Sequence, residues 1–368
     1  MNPIRFPFLR PSLPGPEQWT PYLASSYSAR RYSNFGPANE LFERRLENFL
    51  SIAGREAVAC SSATSGLAAV LMERGVTGKV AIPSFTFPAT VHAVLTAGCL
   101  PVVCDVDART WELSPAMLES VFARHDIAAV IHVRAFGFCR DLQNIASVCA
   151  VRGVPLVVDA AAALGGSISP GVPAGGQGMA EVFSLHATKV FGIGEGGAIF
   201  CGPDDALRST QALNFGLGAP AFAKGLNGKL SEFSAAIGLA VLDCALPMLP
   251  ARAAAAQRYQ DFFQANGQIG TPADPGLPPW QCFPALLPTE TDVPSLLESA
   301  RSRGLELRRY YHPALHRILP PEIAILEPAP VAEDLAARMV CFPIYPAMSE
   351  EEQSEILQIV KAVLPGLD

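Results

Sequence analysis

Between residues 57 and 202, short apolar runs alternate with stretches whose apolar positions recur at helical spacing, and Gly or Pro punctuates the joins. The runs predict strands over 57–62 (AVACSS), 79–84 (KVAIPS), 100–107 (LPVVCDVD), 128–137 (AAVIHVRAFG), 155–161 (PLVVDAA), 181–186 (EVFSLH) and 197–202 (GAIFCG). Several are continuously apolar rather than alternating, as strands covered on both faces are. Helices are predicted between them, most clearly over 65–74, 88–97, 115–124 and 141–152. This is the order of an α/β domain with a mostly parallel central sheet flanked by helices. From Lys229 a helical pattern (KLSEFSAAIGLAVLDCAL) runs up to Pro247 and Pro250, and a second helix (ARAAAAQRYQDFFQANG, 251–267) follows. The prolines mark a hinge. The remainder, with a final helix over 350–363, reads as a smaller α+β domain. The expected division is 1–245, a large domain with an N-terminal arm, and 246–368, a small C-terminal domain.

Composition narrows the function classes. Half of the 368 residues are hydrophobic and 17% are charged, which excludes a disordered chain. The formal net charge is −7, with no basic run to track a phosphate backbone, so nucleic acid is not an expected partner. Charges interrupt every apolar run before the roughly 18 residues of a membrane span, and the first 15 residues carry Arg5, Arg10 and four prolines where a signal peptide needs an apolar core. Nine scattered cysteines without a C-x-x-C pair read as reduced thiols. A soluble, cytoplasmic protein is expected, with no membrane partner. His312 and His316 have a helical metal-ligand spacing, but Pro313 interrupts any helix there and no third ligand is apparent, so no metal is expected.

The basic residues include only five lysines, Lys79, Lys189, Lys224, Lys229 and Lys361. Lys189 stands out, just past one predicted strand and before a glycine-rich stretch, in SLHATKVFGIGEGGAIF. Gly192, Gly194 and Gly197 spell G-x-G-x-x-G, yet they open a strand rather than a helix, which rejects a dinucleotide fingerprint. Asp159 ends the apolar strand PLVVDAA, where open α/β sheets bind ligands. A surface lysine and a helix-capping aspartate are the plain alternatives. Together the pair suggests a lysine that forms a Schiff base with pyridoxal phosphate and an aspartate that keeps the pyridine nitrogen protonated. Ala63, Thr64 and Ser65 add a strand-to-helix turn whose free amides suit a phosphate.

The motifs NFGPANELFERRL, SSATSGLAAVL, IPSFTFPATVHAVLTAGCLPVVCDVD, VDAAAALGG, FSLHATKVFGIGEGGAIF, GLNGKLSEFSAAIGLAVL, YYHPALH and CFPIYPAMSEEE follow one another over residues 34–359. In this order they resemble the DegT/DnrJ/StrS-type sugar aminotransferases, a branch of the fold-type-I pyridoxal-phosphate enzymes. The resemblance implies Lys189 as the Schiff-base lysine, Asp159 as the pyridinium partner and Phe87 as the aromatic residue on the cofactor ring. It implies a phosphate site made by the Ala63 and Thr64 backbone, the Ser184 hydroxyl and Asn227 of a neighbouring subunit in a homodimer with shared sites. His186, Tyr311 and His312 are candidates for substrate contact; for His186, closing the strand end is the equal alternative. Phe85 and Phe87 are expected to alternate on one short strand, and the resemblance selects Phe87 for the site.

The activity so implied is transamination of a nucleotide-linked keto sugar, with L-glutamate as amino donor and pyridoxamine 5′-phosphate as the intermediate cofactor form. Ala162 stands where the family usually has Gln or His, Val190 where Asn is common, and Ala63 where Gly is common. These departures leave two rivals, a dehydratase-like relative that works with pyridoxamine phosphate and a non-catalytic regulator on the same fold. The first lacks the anchoring lysine, which this chain has.

Overall fold

Buried strands with an inside and an outside parity build the central sheet. The computed structural model describes residues 3–219, 223–244, 247–265 and 270–364. After short helical turns in the N-terminal arm, its main strands and helices begin with α1 (Pro37–Leu50), β1 (Glu56–Cys60), α2 (Ala63–Glu73), β2 (Lys79–Pro83), α3 (Ala89–Thr96), β3 (Leu100–Cys104), α4 (Pro115–Arg124), β4 (Ile127–Val133), α5 (Gln143–Val151) and β5 (Leu156–Asp159). There follow β6 (Ala180–Ser184), β7 (Gly197–Cys201), α6 (Pro203–Leu213), α7 (Glu232–Asp243) and α8 (Met248–Ala265). The chain ends with β8 (Cys282–Leu286), α9 (Val293–Ser302), β9 (Ile325–Leu326), α10 (Pro330–Arg338), β10 (Met339–Pro343) and α11 (Glu350–Val363).

The eight-stranded sheet has the order β1-β7-β6-β5-β4-β2-β3-β9, and every strand but β7 runs in the same direction. The predicted strands 57–62 to 197–202 correspond to β1 to β7. The longer predictions overshoot where the chain turns: 128–137 ends as a strand at Val133, and residues 135–137 form a 3₁₀ turn. Side-chain parity divides the strands between two layers. Val80, Ile82, Ile131, Val157 and Val182 pack with Leu67 and Val70 of α2 and Val91 and Val94 of α3. Ala81, Val130, Leu156, Val158 and Phe183 pack on the other face with Phe42 of α1, Ile145 of α5 and Leu239 of α7.

This parity positions the chemistry. Asp159 has the parity of Val157, and Ser184 that of Val182, so both end their strands on the α2/α3 layer. Gly197 pairs with Cys60 on one side and Ser184 on the other. A Cβ there would come within 2.6 Å of the Ala63 amide nitrogen, so the bare backbone of Gly197 is what lets the start of α2 lie against the sheet.

A second core gathers Tyr259 and Phe263 of α8, Phe283 of β8, Phe342 of β10 and Ile356 of α11 around the antiparallel pair β8–β10. The chain crosses the division expected at 245/246 in both directions. Phe6, from the N-terminal arm, belongs to this second core and bridges to Leu305, while β9 joins the edge of the large sheet beside β3. The helix expected over 251–267 is α8, which starts three residues earlier, at Met248; residues 266–267 lie outside the described residues. Among the described residues no single helix is long and apolar enough to cross a membrane.

One buried carboxylate joins α7 to α1. Glu232, fully buried, accepts hydrogen bonds from the amides of Ala38 (2.7 Å) and Asn39 (3.1 Å) and from the Ser26 hydroxyl (2.7 Å). The first two are free donors of the α1 N-terminus, where a negative charge is also favoured by the helix dipole. Glu232→Gln removes that charge and turns an amide group toward one of the donors. It is expected to destabilise the protein by about 2–3 kcal/mol, the scale of a hydrogen bond to a charged group, as read by chemical denaturation. A loss under about 0.5 kcal/mol, the range of ordinary surface substitutions, would show that the link is dispensable.

Candidate active site

The carboxyl ends of β1, β2, β4, β5 and β6 open on one cavity of about 350 Å³. Ala63, Thr64, Phe87, Asp159, Ser184, His186, Lys189 and Tyr311 all border it. Eight of the ten residues singled out in the sequence are therefore brought together. The other two are elsewhere. His312 is exposed and outside the cavity lining, and Asn227 is exposed on a segment that bridges to Asn214.

Asp159 is 5% exposed. Its Oδ2 accepts from the Thr90 hydroxyl at 2.7 Å and its Oδ1 from the Ala161 amide at 3.2 Å. Burial pushes its pKa above the ordinary carboxylate value, while Thr90, the Ala161 amide and the charge of Lys189 act in the opposite sense. No helix follows Asp159, so the Ala161 bond closes a turn and the helix-cap alternative falls away, while the Thr90 bond ties β5 to α3. Thr90 is itself in contact with Thr86 (3.0 Å), so a short hydroxyl chain leads from the β2–α3 turn to the carboxylate.

Lys189 lies in the loop between the antiparallel strands β6 and β7, where Gly194 takes a positive φ of 102°. Burial lowers the pKa of its amine, and the Asp159 charge opposes the shift. Its Nζ donates to Gln281 Oε1 at 3.2 Å, and Gln281 Nε2 donates to the Thr188 carbonyl at 3.0 Å, which orients the amide. Tyr311 is enclosed, and burial holds its phenol well above the usual range. His186 contacts the Thr188 hydroxyl through Nδ1 at 2.8 Å and lies 3.6 Å from Glu195 through Nε2.

At the start of α2, the Ser62 hydroxyl caps the Ser65 amide at 3.1 Å. Among the described residues the amides of Ala63 and Thr64 find no acceptor. They are the free donors of a helix N-terminus and border the cavity beside Ser184. Phe85 and Phe87 do part as expected, Phe85 fully buried and Phe87 57% exposed, but on a bend rather than a strand. β2 stops at Pro83 and the chain is already turning into α3. With free amides and a hydroxyl for a phosphate, a buried carboxylate for a ring nitrogen, a ring for stacking and a lysine amine, the lining fits pyridoxal phosphate.

Sequence reasoning missed Thr90, Gln281, Arg308 and Tyr310, all near these groups. Thr90 has a signal in hindsight, since Thr86 and Thr90 are four residues apart at a helix entry. Gln281 is a lone amide in the apolar run PPWQCFPALL.

A model of the DegT/DnrJ/EryC1/StrS aminotransferase family matches residues 17–361. Protein Rv3402c of Mycobacterium tuberculosis is 30% identical over 378 residues, 97% of this chain and 90% of that protein. The dTDP-4-amino-4,6-dideoxy-D-glucose transaminase of Shigella dysenteriae is 28% identical over 96% of this chain and 98% of its own length. The crystal structure of DesI in the presence of its TDP-sugar product superposes with a TM-score of 0.89 at 30% identity, covering 98% of this chain and 94% of that one.

The opposed influences on Lys189 give a pH prediction. The negative charge of Asp159 favours the ammonium form, so Asp159→Asn removes the larger of the influences opposing burial and should lower the amine pKa further. Apo-protein mixed with pyridoxal phosphate, reduced with borohydride across a pH series and weighed by mass spectrometry reads the midpoint of covalent attachment. That midpoint should move to lower pH in the variant. A move to higher pH would refute the electrostatic coupling of the two residues.

Proposed function

The chain belongs to the DegT/DnrJ/EryC1/StrS aminotransferase family, whose cofactor is pyridoxal 5′-phosphate, and we propose that it transfers an amino group from L-glutamate to a nucleotide-linked keto sugar in amino-sugar biosynthesis. The observation that carries this reading is the convergence of Lys189 and Asp159 on one cavity, each perturbed by burial and each acting on the other's charge. A relative that is a dTDP-amino-sugar transaminase and a structural neighbour solved with a TDP-sugar product support the substrate class.

When bound, the cofactor supplies an aldehyde that condenses with amines and a ring that draws electrons from the carbon next to the bound nitrogen. The amides of Ala63 and Thr64 and the Ser184 hydroxyl would hold its phosphate, and Phe87 would cover its ring. Asp159 would keep the ring nitrogen protonated. Its seclusion from water strengthens that ion pair, and each unit by which the nitrogen's pKa rises corresponds to about 1.4 kcal/mol. Lys189 has two duties, to anchor the cofactor covalently and, once displaced by the donor, to take a proton from the donor's α-carbon and return it one position away. Burial suits it to both, because a lysine amine below its ordinary pKa is neutral in a larger fraction of molecules. Gln281 would hold the amine while it waits.

The proposal includes a homodimer, in which Asn227 of the partner subunit completes the phosphate site. Within one chain Asn227 is exposed and outside the cavity, which supports service across an interface. A reducing, cytoplasmic setting fits nine free cysteines, eight of them buried.

Two experiments test this. Lys189→Ala should keep its fold and bind pyridoxal phosphate only non-covalently, losing amino transfer from glutamate to keto-sugar nucleotides. Borohydride reduction and peptide mapping of the unaltered protein should put the cofactor on Lys189. Turnover above about a tenth of wild type in a contamination-free variant, or a label elsewhere, would refute the assignment.

The shared site is tested by reassembling Lys189→Ala with Asn227→Asp, each nearly inactive alone at low cofactor concentration. Random exchange makes roughly half the dimers mixed, with one intact pocket in two, so about one quarter of wild-type activity should return. No recovery despite demonstrated exchange would place both residues in a pocket within one chain.

A further inference from the structure

Lys189 borders a second cavity. It measures about 230 Å³, lies under residues 9–14 of the N-terminal arm, and shares Leu9, Thr188, Lys189 and Gln281 with the first. Among the described residues its charged lining is Arg10, Lys189 and Arg252, with no acidic residue. The start of α8, at Met248, also borders it, and adds the positive end of a helix dipole.

Arg252 is the unusual member. It is 7% exposed, and its Nη1 donates to the carbonyls of Trp280 and Ile344, both at 3.0 Å. Those carbonyls require a donor, and a neutral amide would serve. The charge is left over: among the described residues Nε meets no acceptor and no carboxylate forms an ion pair with the guanidinium. Burial pushes its pKa down to about 10. A buried guanidinium without a counter-charge is costly unless an anion completes it. Arg10 stands near the opening, over the Tyr345 ring at 4.2 Å and 3.3 Å from Glu352.

We propose that this second cavity is a carboxylate subsite, in which Arg252, assisted by Arg10, holds the distal carboxylate of a dicarboxylic amino donor whose amino group is presented to Lys189. The assignment rests on the aminotransferase reading above and gives its donor a place. Size favours an amino acid over the diphosphate arm of a nucleotide sugar, because 230 Å³ is below the roughly 300 Å³ at which clefts for larger ligands begin. Gln281, between the two cavities, would then touch the lysine at the point where donor and cofactor meet.

The test is calorimetric and needs no turnover, so it can fail while amino transfer stands, and succeed where amino transfer fails. Cofactor-loaded protein is titrated with glutarate, butyrate and inorganic pyrophosphate. Glutarate should bind at least tenfold more tightly than butyrate. Arg252→Gln, which keeps a donor for the two carbonyls, should erase that preference, and Arg252→Lys should keep most of it. Should Arg252→Gln not fold, Arg10→Glu, a change at a half-exposed position, should still weaken glutarate at least tenfold with butyrate little affected. The subsite is overturned if wild type does not prefer glutarate. It is equally overturned if the substitutions leave glutarate unchanged, or if they weaken pyrophosphate alone, which would give the cations to the nucleotide.

Discussion

A carboxylate buried at the end of a fully buried strand is the constraint around which the site is organised. Asp159 cannot be ionised in the interior without compensation, and the fold supplies it from three directions. The Ala161 amide comes from its own turn, the Thr90 hydroxyl from α3 and the charge of Lys189 from the β6–β7 loop. Each donor depends on a separate piece of architecture. The parity of β5 aims the side chain at the α2/α3 layer, the tight bend after Pro83 starts α3 where Thr90 can reach it, and the reversal between β6 and β7 brings Lys189 back over the sheet.

The same constraint explains what was legible in the sequence. An aspartate after three apolar residues, a lysine before glycines and a serine-rich strand-to-helix turn are visible because each breaks a pattern: a charge where none should be buried, or small residues where bulk is the rule. Residues that keep to the pattern are not visible. Thr90 looks like an ordinary helical threonine until Asp159 lies beside it, 69 positions along the chain. Gln281 comes from the second core and meets Lys189 only through tertiary packing. Overlong strand predictions have a related cause, since apolar residues after β4 and β5, such as Phe136 and Ala161, line a cavity and prolong an apparent run beyond its last ladder pair.

The apolar departures from the family pattern also find a place. Ala162 borders the main cavity together with Phe136 and Val133, and Phe136 stacks on Tyr311 with ring centroids 5.3 Å apart. This wall offers surface and shape rather than hydrogen bonds. It discriminates weakly between ligands that differ by a methylene and strongly against polar groups that would be left unpaired there. The polar contacts of the site are concentrated instead on the Asp159, Ser184 and Lys189 side.

The reversed strand β7 has a consequence for how the site is assembled in time. Because β6 and β7 form an antiparallel pair, Lys189 is held in a loop closed by residues near in sequence, from Ser184 to Gly197. Loops this short close at little entropic cost. The contacts that give the lysine its chemistry span far more chain, to Asp159 across a parallel crossover and to Gln281 across 92 positions. Non-local contacts of this kind are the slow ones. The hairpin can therefore form while its lysine is still an ordinary, solvated amine, and the altered amine arises only when the sheet and the second core have closed around it.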